Sequence, residues 1–174
     1  MENYVASINS INTRRSTRKY DGRKVDTETL VELCKAGLLA LSGMNIHDLS
    51  FLVINDDETA DKFVEIVTNL CGRNPFYGAK SFIVCYGRKE RVELYEDVGA
   101  AIENILLEAD NKGILTCWIH ATCKIKEKEL YDFINSLTDN EDKVILDTII
   151  LGYGEKNDSS RKFDEIIKTN IKVC

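Results

Sequence analysis

The chain has 174 residues and a formal net charge of −6 at pH 7, a length that suits one domain with a single core. Its 44% hydrophobic and 30% charged residues are ordinary for a globular protein and argue against extended disorder. The acidic balance argues against a general nucleic-acid-binding protein, and no apolar run approaches the roughly 18 residues of a membrane span. Six cysteines lie at irregular spacing, mostly inside apolar segments, which indicates reduced thiols. Because the N-terminus also lacks a signal-peptide pattern, we expect a cytoplasmic protein that binds neither membrane nor nucleic acid.

Helical and strand patterns alternate along the chain. The predicted elements are a helix over 3–12, a helix between Asp26 and Gly43, a strand over 49–56, a helix from Asp56 or Asp57 to about Leu70, a strand over 81–87, a helix over 94–112, a strand over 114–119, a helix over 126–137 and a strand over 143–154. Apolar residues recur at helical spacing most clearly over 94–112, so we expect that helix to be central. Apolar strands interleaved with helices predict helices packed on a sheet.

An arginine-rich stretch, "TRRSTRKYD" over 13–21, stands out in this acidic chain. A solvated basic loop is the ordinary interpretation of such a charge run. However, Arg14, Ser16 and Arg18 alternate, and alternate side chains of an extended segment point to the same side. Two guanidinium groups and a hydroxyl on one side suit a phosphate monoester, which guanidinium binds through charge-assisted, bidentate hydrogen bonds. Lys19 alternates to the opposite side.

Several segments, in order along the chain, resemble the nitroreductase family of dimeric FMN flavoenzymes. They are "INTRRSTRKYD" over 11–21, "LLALSGMN" over 38–45, "FYGAKSFIV" over 76–84, "DVGAAIENILLEADNKGILTCWI" over 97–119 and "LGYGEKNDSSRKFDEII" over 151–167. The resemblance implies an α+β fold: a three-layer sandwich with helices packed on a central mixed sheet, in one domain over 1–174. It also implies an intertwined homodimer with FMN at the subunit interface.

The resemblance implies a set of cofactor-binding residues at both ends of the flavin. Arg14, Arg15 and Ser16 would hold the phosphate, joined by Arg161 from the C-terminal segment. Arg18 would lie nearer the pyrimidine end of the ring, where a cation favours the anionic reduced flavin.

Two further segments would contact the ring system. Ser42 and Asn45 belong to the segment that resembles the family's flavin-binding turn, and Asn45 would bond the ring or the ribityl chain. Ile119, His120 and Ala121 follow the third strand, where family members aim backbone N–H groups at the N5 and O4 edge. Fixed donors there would assist arrival of a hydride.

The function implied is that of an FMN-dependent oxidoreductase. Hydride would pass from NAD(P)H to flavin N5 and then to a small acceptor such as a nitroaromatic or quinone. No G-x-G-x-x-G follows a strand, so NAD(P)H would bind only transiently against the flavin. The alternatives are a flavin-binding sensor or carrier without turnover and, less favoured, a nucleic-acid-binding module that uses residues 13–19.

Other residues leave alternatives open, and the chain departs from the family pattern in places. Cys117, His120 and Cys123 lack a fourth ligand in sequence, so we predict no metal site there. Trp118 is either a core residue or a flavin stacker, and His47 is either a surface residue or a substrate-side group. Cys117 has no identifiable base that would make it a nucleophile. The chain is shorter than typical family members, and it has Leu41, Lys80 and the pair His47-Asp48 where the family usually has Pro, Pro and "QP".

Overall fold

The computed structural model describes residues 9–138, 143–156 and 171–172. Its strands are β1 (Ser50–Ile54), β2 (Ser81–Arg88), β3 (Leu115–Ile119) and β4 (Lys143–Gly152). Its long helices are α1 (Thr27–Leu38), α2 (Asp57–Cys71), α3 (Leu94–Asn111) and α4 (Lys128–Leu137). Each of these was predicted, and most boundaries agree within one or two residues. Residues 9–13 are helical, and the rest of the first predicted helix lies mostly outside the described residues.

The helix starts follow from capping side chains. Asp26 precedes α1, and its Oδ1 accepts the N–H of Thr29 at 2.8 Å; Asp56 caps α2 through Thr59 in the same way. Val25 and Leu30 flank the first cap and are both buried, as a hydrophobic staple requires. The predicted end of α1 was wrong by about four residues. The helix ends at Leu38, and the exposed Leu39 and Leu41 lie in the turn that leads to Ser42.

The four strands form one sheet in the order β1-β2-β4-β3. All three pairings are antiparallel, whereas a mixed sheet was expected. The parallel contribution among the described residues is an isolated bridge between Ser16 and Thr116, at the β3 edge. β2 and β4 pair at the centre of the sheet, and β1 and β3 are its outer strands. The arginine-rich segment therefore joins the sheet beside β3.

The sheet divides the interior into two cores, where the chain length led us to expect one. Side chains alternate along β2: Phe82 and Val84 face one core, while Ile83 and Cys85 face the other. Helices α1 and α3 cover one face, and α2 and α4 cover the opposite face. The result is the predicted three-layer α+β sandwich. Among the described residues, no helix has both the length and the apolar character needed to cross a membrane.

Candidate functional site

The arginine-rich segment is attached to the sheet by its backbone. The N–H of Thr17 donates to the carbonyl of Thr116 at 2.8 Å, next to the Ser16–Thr116 bridge. Further along, the N–H of Tyr20 donates to the carbonyl of Tyr77 at 3.2 Å. These bonds keep the segment extended beside β3. Its alternate side chains therefore point in opposite directions.

Ser16 is bridged to Thr116 at the β3 edge, and Arg14 and Arg18 lie two residues to either side of it in the segment. Burial raises the pKa of the Cys117 thiol, while Arg18, a hydrogen bond from Ser16, and Arg14 act to lower it. Arg14 is 14% exposed, and its Nε lies 3.4 Å from Oε1 of Glu103 on α3. Arg18 is exposed and forms no ion pair with the residues that the structure describes. Arg14, Ser16 and Arg18 thus all act on one β3 thiol; that they form a phosphate site on one side of the segment stays a prediction.

Arg15 and Lys19 point elsewhere. Nη1 of Arg15 donates to the backbone carbonyls of Asn12 and Arg14, at 2.7 and 2.8 Å. Lys19 is 77% exposed, and its ammonium pairs with Glu155. Lys19 thus has a partner of its own in Glu155, and Arg15 is engaged with the local backbone. Arg161, the remaining predicted phosphate ligand, lies outside the described residues.

The predicted flavin-facing loop, 42–47, has an unusual backbone. Gly43–Asn45 forms a short 3-10 turn, and Met44, Asn45 and His47 all have positive φ, at 51°, 56° and 51°. Such angles are uncommon for residues other than glycine. Oγ of Ser42 accepts the N–H of His47 at 2.8 Å, and Oδ1 of Asn45 lies 2.8 Å from Nε2 of His47. His47 is exposed, and its ring contacts this loop.

A buried ion pair holds this loop in place. Oδ1 of Asp97 accepts the N–H of Gly43 at 2.8 Å, and Oδ2 accepts from Nη2 of Arg91 at 2.9 Å. The two side chains are only 5% and 10% exposed. Arg91 also donates to the carbonyl of Gly43 at 3.3 Å, while its Nε and Nη1 are buried without a partner among the described atoms. Sequence reasoning missed this pair, although Asp97 directly precedes Val98 on the apolar stripe of α3.

The third predicted segment follows β3. The side chain of Ile119 is buried in the core, so only its backbone is available to a ligand. His120 is exposed, and its Nδ1 lies 3.0 Å from Oδ1 of Asp147 on β4. Asp147 is buried; burial raises the pKa of its carboxyl, while hydrogen bonds from Trp118 and His120 and the charge of His120 oppose that rise. Ala121 is half-buried in the turn.

Asp147 is a second site residue that sequence reasoning missed. Its signal was a single carboxylate inside the otherwise apolar run "VILDTIILG". Trp118, which bonds it, is 37% exposed and therefore does not belong to either core. This exposure argues against the core alternative for Trp118, and its contact with the flavin stays a prediction.

An apolar surface patch adjoins the loop. Its members are Leu38, Leu39, Leu41, Met44, Ile46, Val92 and Tyr95, each at least 49% exposed. The contact between Arg91 and Gly43 brings the two stretches of the patch together. Contiguous apolar surface of this kind marks an interaction site.

Comparisons with known proteins identify the family. The family model described as "Putative TM nitroreductase" matches residues 7–173. A curated protein of Archaeoglobus fulgidus, named "Putative NADH dehydrogenase/NAD(P)H nitroreductase", is 31% identical over 150 residues, which cover 84% of each chain. The chain belongs to the nitroreductase family.

Solved structures agree in fold. A nitroreductase of Bacteroides fragilis, crystallised with bound FMN, has a TM-score of 0.82 at 21% identity, covering 97% of this chain and 98% of that chain. A protein of Clostridium acetobutylicum named "Putative NADH Oxidase" has a TM-score of 0.67 at 29% identity, with 85% and 89% coverage. The α+β architecture of the described residues is therefore that of the family.

Proposed function

We propose that this protein is an FMN-dependent oxidoreductase that oxidises NAD(P)H and reduces a small acceptor such as a nitroaromatic or a quinone. When bound, FMN supplies the redox chemistry, in which hydride passes through N5. Family membership supports the oxidoreductase class, and the structures of relatives crystallised with FMN support the cofactor. The observation that carries the proposal in this chain is the pairing of the basic segment with β3 at Ser16 and Thr17, which places a serine hydroxyl between Arg14 and Arg18 at the edge of the sheet.

These residues fit a phosphate monoester in charge and hydrogen-bonding capacity. The chain is acidic overall, yet this surface gathers two cations around a hydroxyl. Guanidinium forms the strong, charge-assisted bonds that a dianionic phosphate requires. Arg14 is already positioned by Glu103, so little side-chain entropy is lost when a ligand arrives. We propose that Arg14 and Ser16 hold the phosphate, with Arg15 and Arg161 as the remaining predicted contacts.

The residues near the ring would bind and orient it. Arg18 is exposed and would place a positive charge near the pyrimidine end, which would raise the redox potential. The loop with Ser42 and Asn45 would contact the ring or the ribityl chain. Backbone N–H groups of residues 119–121 would face the N5 and O4 edge, where fixed donors stabilise developing negative charge.

The protein would act as an intertwined homodimer with FMN at its interface. The apolar patch beside the loop supports this assembly because it lies next to the proposed ring site. Obligate pairs bury more than about 2,000 Å² in largely apolar interfaces. Light scattering at micromolar concentration, with cofactor bound, should give twice the chain mass; a stable monomer with a full complement of FMN would contradict this assembly.

Anaerobic reduction of the purified, FMN-loaded protein tests the proposed activity. NADH or NADPH should bleach the flavin absorbance, and a quinone or nitroaromatic should restore it with repeated turnover. A protein that binds FMN but is not bleached by either nucleotide would be a flavin-binding sensor or carrier. A protein that takes up no FMN would overturn the assignment.

A further inference from the structure

Three potential metal ligands meet at the end of β3, and the proposed redox function does not account for them. They are the imidazole of His120, the thiol of Cys123 and the carboxylate of Asp147. One donor atom from each lies within 4.8 Å of the others. Sequence reasoning considered Cys117 with His120 and Cys123 and predicted no metal site, because the sequence offered no fourth ligand. Cys117 is buried in the opposite core, and Asp147 takes its place in the group.

The fold brings these three groups together by two independent means. Two residues separate His120 from Cys123, and Cys123 lies in the tight turn Thr122–Lys124. Sγ of Cys123 lies 3.1 Å from the carbonyl oxygen of His120. A spacing of two residues between ligands is typical of zinc-binding turns. Asp147 comes from β4, which pairs with β3 in the sheet. Two ligands on a turn and one on a rigid strand make a chelating set.

The distances suit a tetrahedral ion. Nδ1 of His120 lies 3.0 Å from Oδ1 of Asp147 and 3.5 Å from Sγ of Cys123. Zinc bonds of about 2.0–2.1 Å to nitrogen or oxygen and about 2.3 Å to sulfur place such donors roughly 3.3–3.6 Å apart at tetrahedral angles. These two separations lie within a few tenths of an ångström of that range, and the Cys123 sulfur and an Asp147 oxygen lie within 4.8 Å of each other. Binding would therefore require side-chain adjustment but no movement of the strands.

The chemistry of the donors selects the class of ion. Thiolate and imidazole favour borderline or soft divalent transition metals, whereas Mg²⁺ and Ca²⁺ prefer sets made of oxygen only. The Cys123 thiol must lose its proton when a metal binds. Asp147 is already oriented by the indole of Trp118, which resembles the outer-shell support of known metal ligands.

We propose that His120, Cys123 and Asp147 bind one Zn²⁺ ion, or a similar thiophilic divalent cation, in a site with an open fourth position. Three protein ligands with one open position are typical of zinc sites that accept water or substrate. The ion would fix the turn after β3, which contains the backbone groups proposed to face the flavin. The metal site itself does not depend on that proposal.

Zn²⁺ and Co²⁺ titrations of the tag-free, flavin-containing protein, after removal of metals with a chelator, test the site. Calorimetry should find one Zn²⁺ per chain. Co²⁺ should give ligand-field bands at the red end of the spectrum, where oxidised flavin does not absorb. The thiolate charge-transfer band in the near-ultraviolet is read as a difference against the metal-free protein. Cys123→Ser should lower Zn²⁺ affinity by more than about 100-fold, which exceeds the usual 10- to 100-fold effect of losing an outer-shell partner.

Cys71→Ser is the matched control. Cys71 is a half-exposed free thiol that lines the same surface cavity as His120 but is not in the group of three. This variant should bind Zn²⁺ like the parent. His120→Ala should also lose the ion, and this variant replaces an exposed side chain and leaves the buried Asp147 in place. Asp147→Asn should lose the ion if that variant folds. No Zn²⁺ binding by the parent, or equal loss in Cys71→Ser and Cys123→Ser, would overturn the proposal. Because FMN content is read separately at the flavin absorbance, failure of zinc binding leaves the proposed oxidoreductase function untouched.

Discussion

The two segments proposed to meet opposite ends of the flavin are held in the fold by different means. The basic segment, 13–21, is held by backbone hydrogen bonds, such as Thr17 to Thr116 at 2.8 Å and Asp21 to Tyr153 at 3.0 Å. The loop over 42–47 is held by side chains: Asp97 accepts the N–H of Gly43, and the buried Arg91 completes the contact.

This difference decides how each segment responds to substitution. A segment paired through its backbone keeps its course when a side chain is replaced, so replacing one of its arginines should leave the segment in place. A loop held by two buried charges depends on both of them. Removing one charge of a buried pair leaves the other uncompensated. We therefore expect variants in the first segment to affect binding, and variants at the support of the loop to affect stability.

The largest effect is expected for Asp97→Ala. It would leave Arg91, which is 10% exposed, with only the exposed Glu93, whose Oε2 lies 3.9 Å from its Nη2, and it would free the N–H of Gly43. Breaking a buried pair in this way costs about 3–5 kcal/mol in the free energy of unfolding, as urea titration would measure.

Two variants calibrate that result. Asp97→Asn keeps a hydrogen-bond acceptor and should cost less than Asp97→Ala. Glu65→Ala breaks the exposed pair with Lys62 and should change stability by no more than about 1 kcal/mol. If Asp97→Ala and Glu65→Ala have equal effects, the buried pair does not support the loop.

The second-largest effect is expected for Arg14→Ala, which should lower FMN affinity and not the free energy of unfolding. Loss of one guanidinium from the phosphate should cost about 1.5–3 kcal/mol, or roughly ten- to a hundred-fold in FMN affinity. Flavin fluorescence during titration of the apo-protein measures this. Arg161→Ala should behave similarly if the C-terminal segment closes the site, and Arg18→Ala should mainly shift the redox potential.

Lys19→Ala is the matched control for Arg14→Ala, because Lys19 pairs with Glu155 on the other side of the segment. It should leave FMN affinity nearly unchanged. Equal losses in Arg14→Ala and Lys19→Ala would mean that the positive charge acts diffusely and that no phosphate site of this geometry exists.

Gly154→Ala should disturb the backbone pairing of the basic segment. A Cβ at this position would lie 2.5 Å from the carbonyl oxygen of Lys19, so the segment would have to move. Overpacking of this kind costs typically about 1–3 kcal/mol in stability, and FMN affinity should fall as well. Gly113→Ala is the control: its φ of 72° disfavours alanine, but the Cβ meets no atom within 4 Å. It should lose stability and keep its FMN affinity.

Asp21→Asn should give the smallest effect, one that depends on pH. The hydrogen bonds from Arg23 lower the pKa of the Asp21 carboxyl below its ordinary 3.8. Because the folded pKa is the lower one, the charged carboxyl stabilises the fold above 3.8, and this contribution is lost as the pH falls through the folded value. Urea midpoints should therefore show Asp21→Asn slightly less stable at neutral pH, with the gap closing in acid. A stability difference that widens in acid would mean that the charged carboxyl does not stabilise the fold, and it would contradict this prediction.

The sequence predicted the helices and strands well, because they depend on local patterns; that the basic group binds a phosphate stays a prediction. Capping by Asp26, the apolar periodicity of α3 and the alternation of Arg14, Ser16 and Arg18 are properties of a few neighbouring residues. The partners of Asp97 and Asp147 were not predicted. Arg91 reaches Asp97 only through the turn before α3, and His120 reaches Asp147 only because β3 and β4 pair. Contacts of this kind depend on strand order, which periodicity does not determine.

The most direct test of the central claim, that Arg14 and its neighbours bind the phosphate of FMN, compares FMN with riboflavin, which lacks the phosphate. Both ligands are titrated against the parent protein and against Arg14→Ala. Arg14→Ala should lower FMN affinity by roughly ten- to a hundred-fold and leave riboflavin affinity unchanged, since only FMN carries the charged group that the guanidinium bonds. If both affinities fall by the same factor, Arg14 supports the site without touching the phosphate, and the claim that it binds this group is wrong.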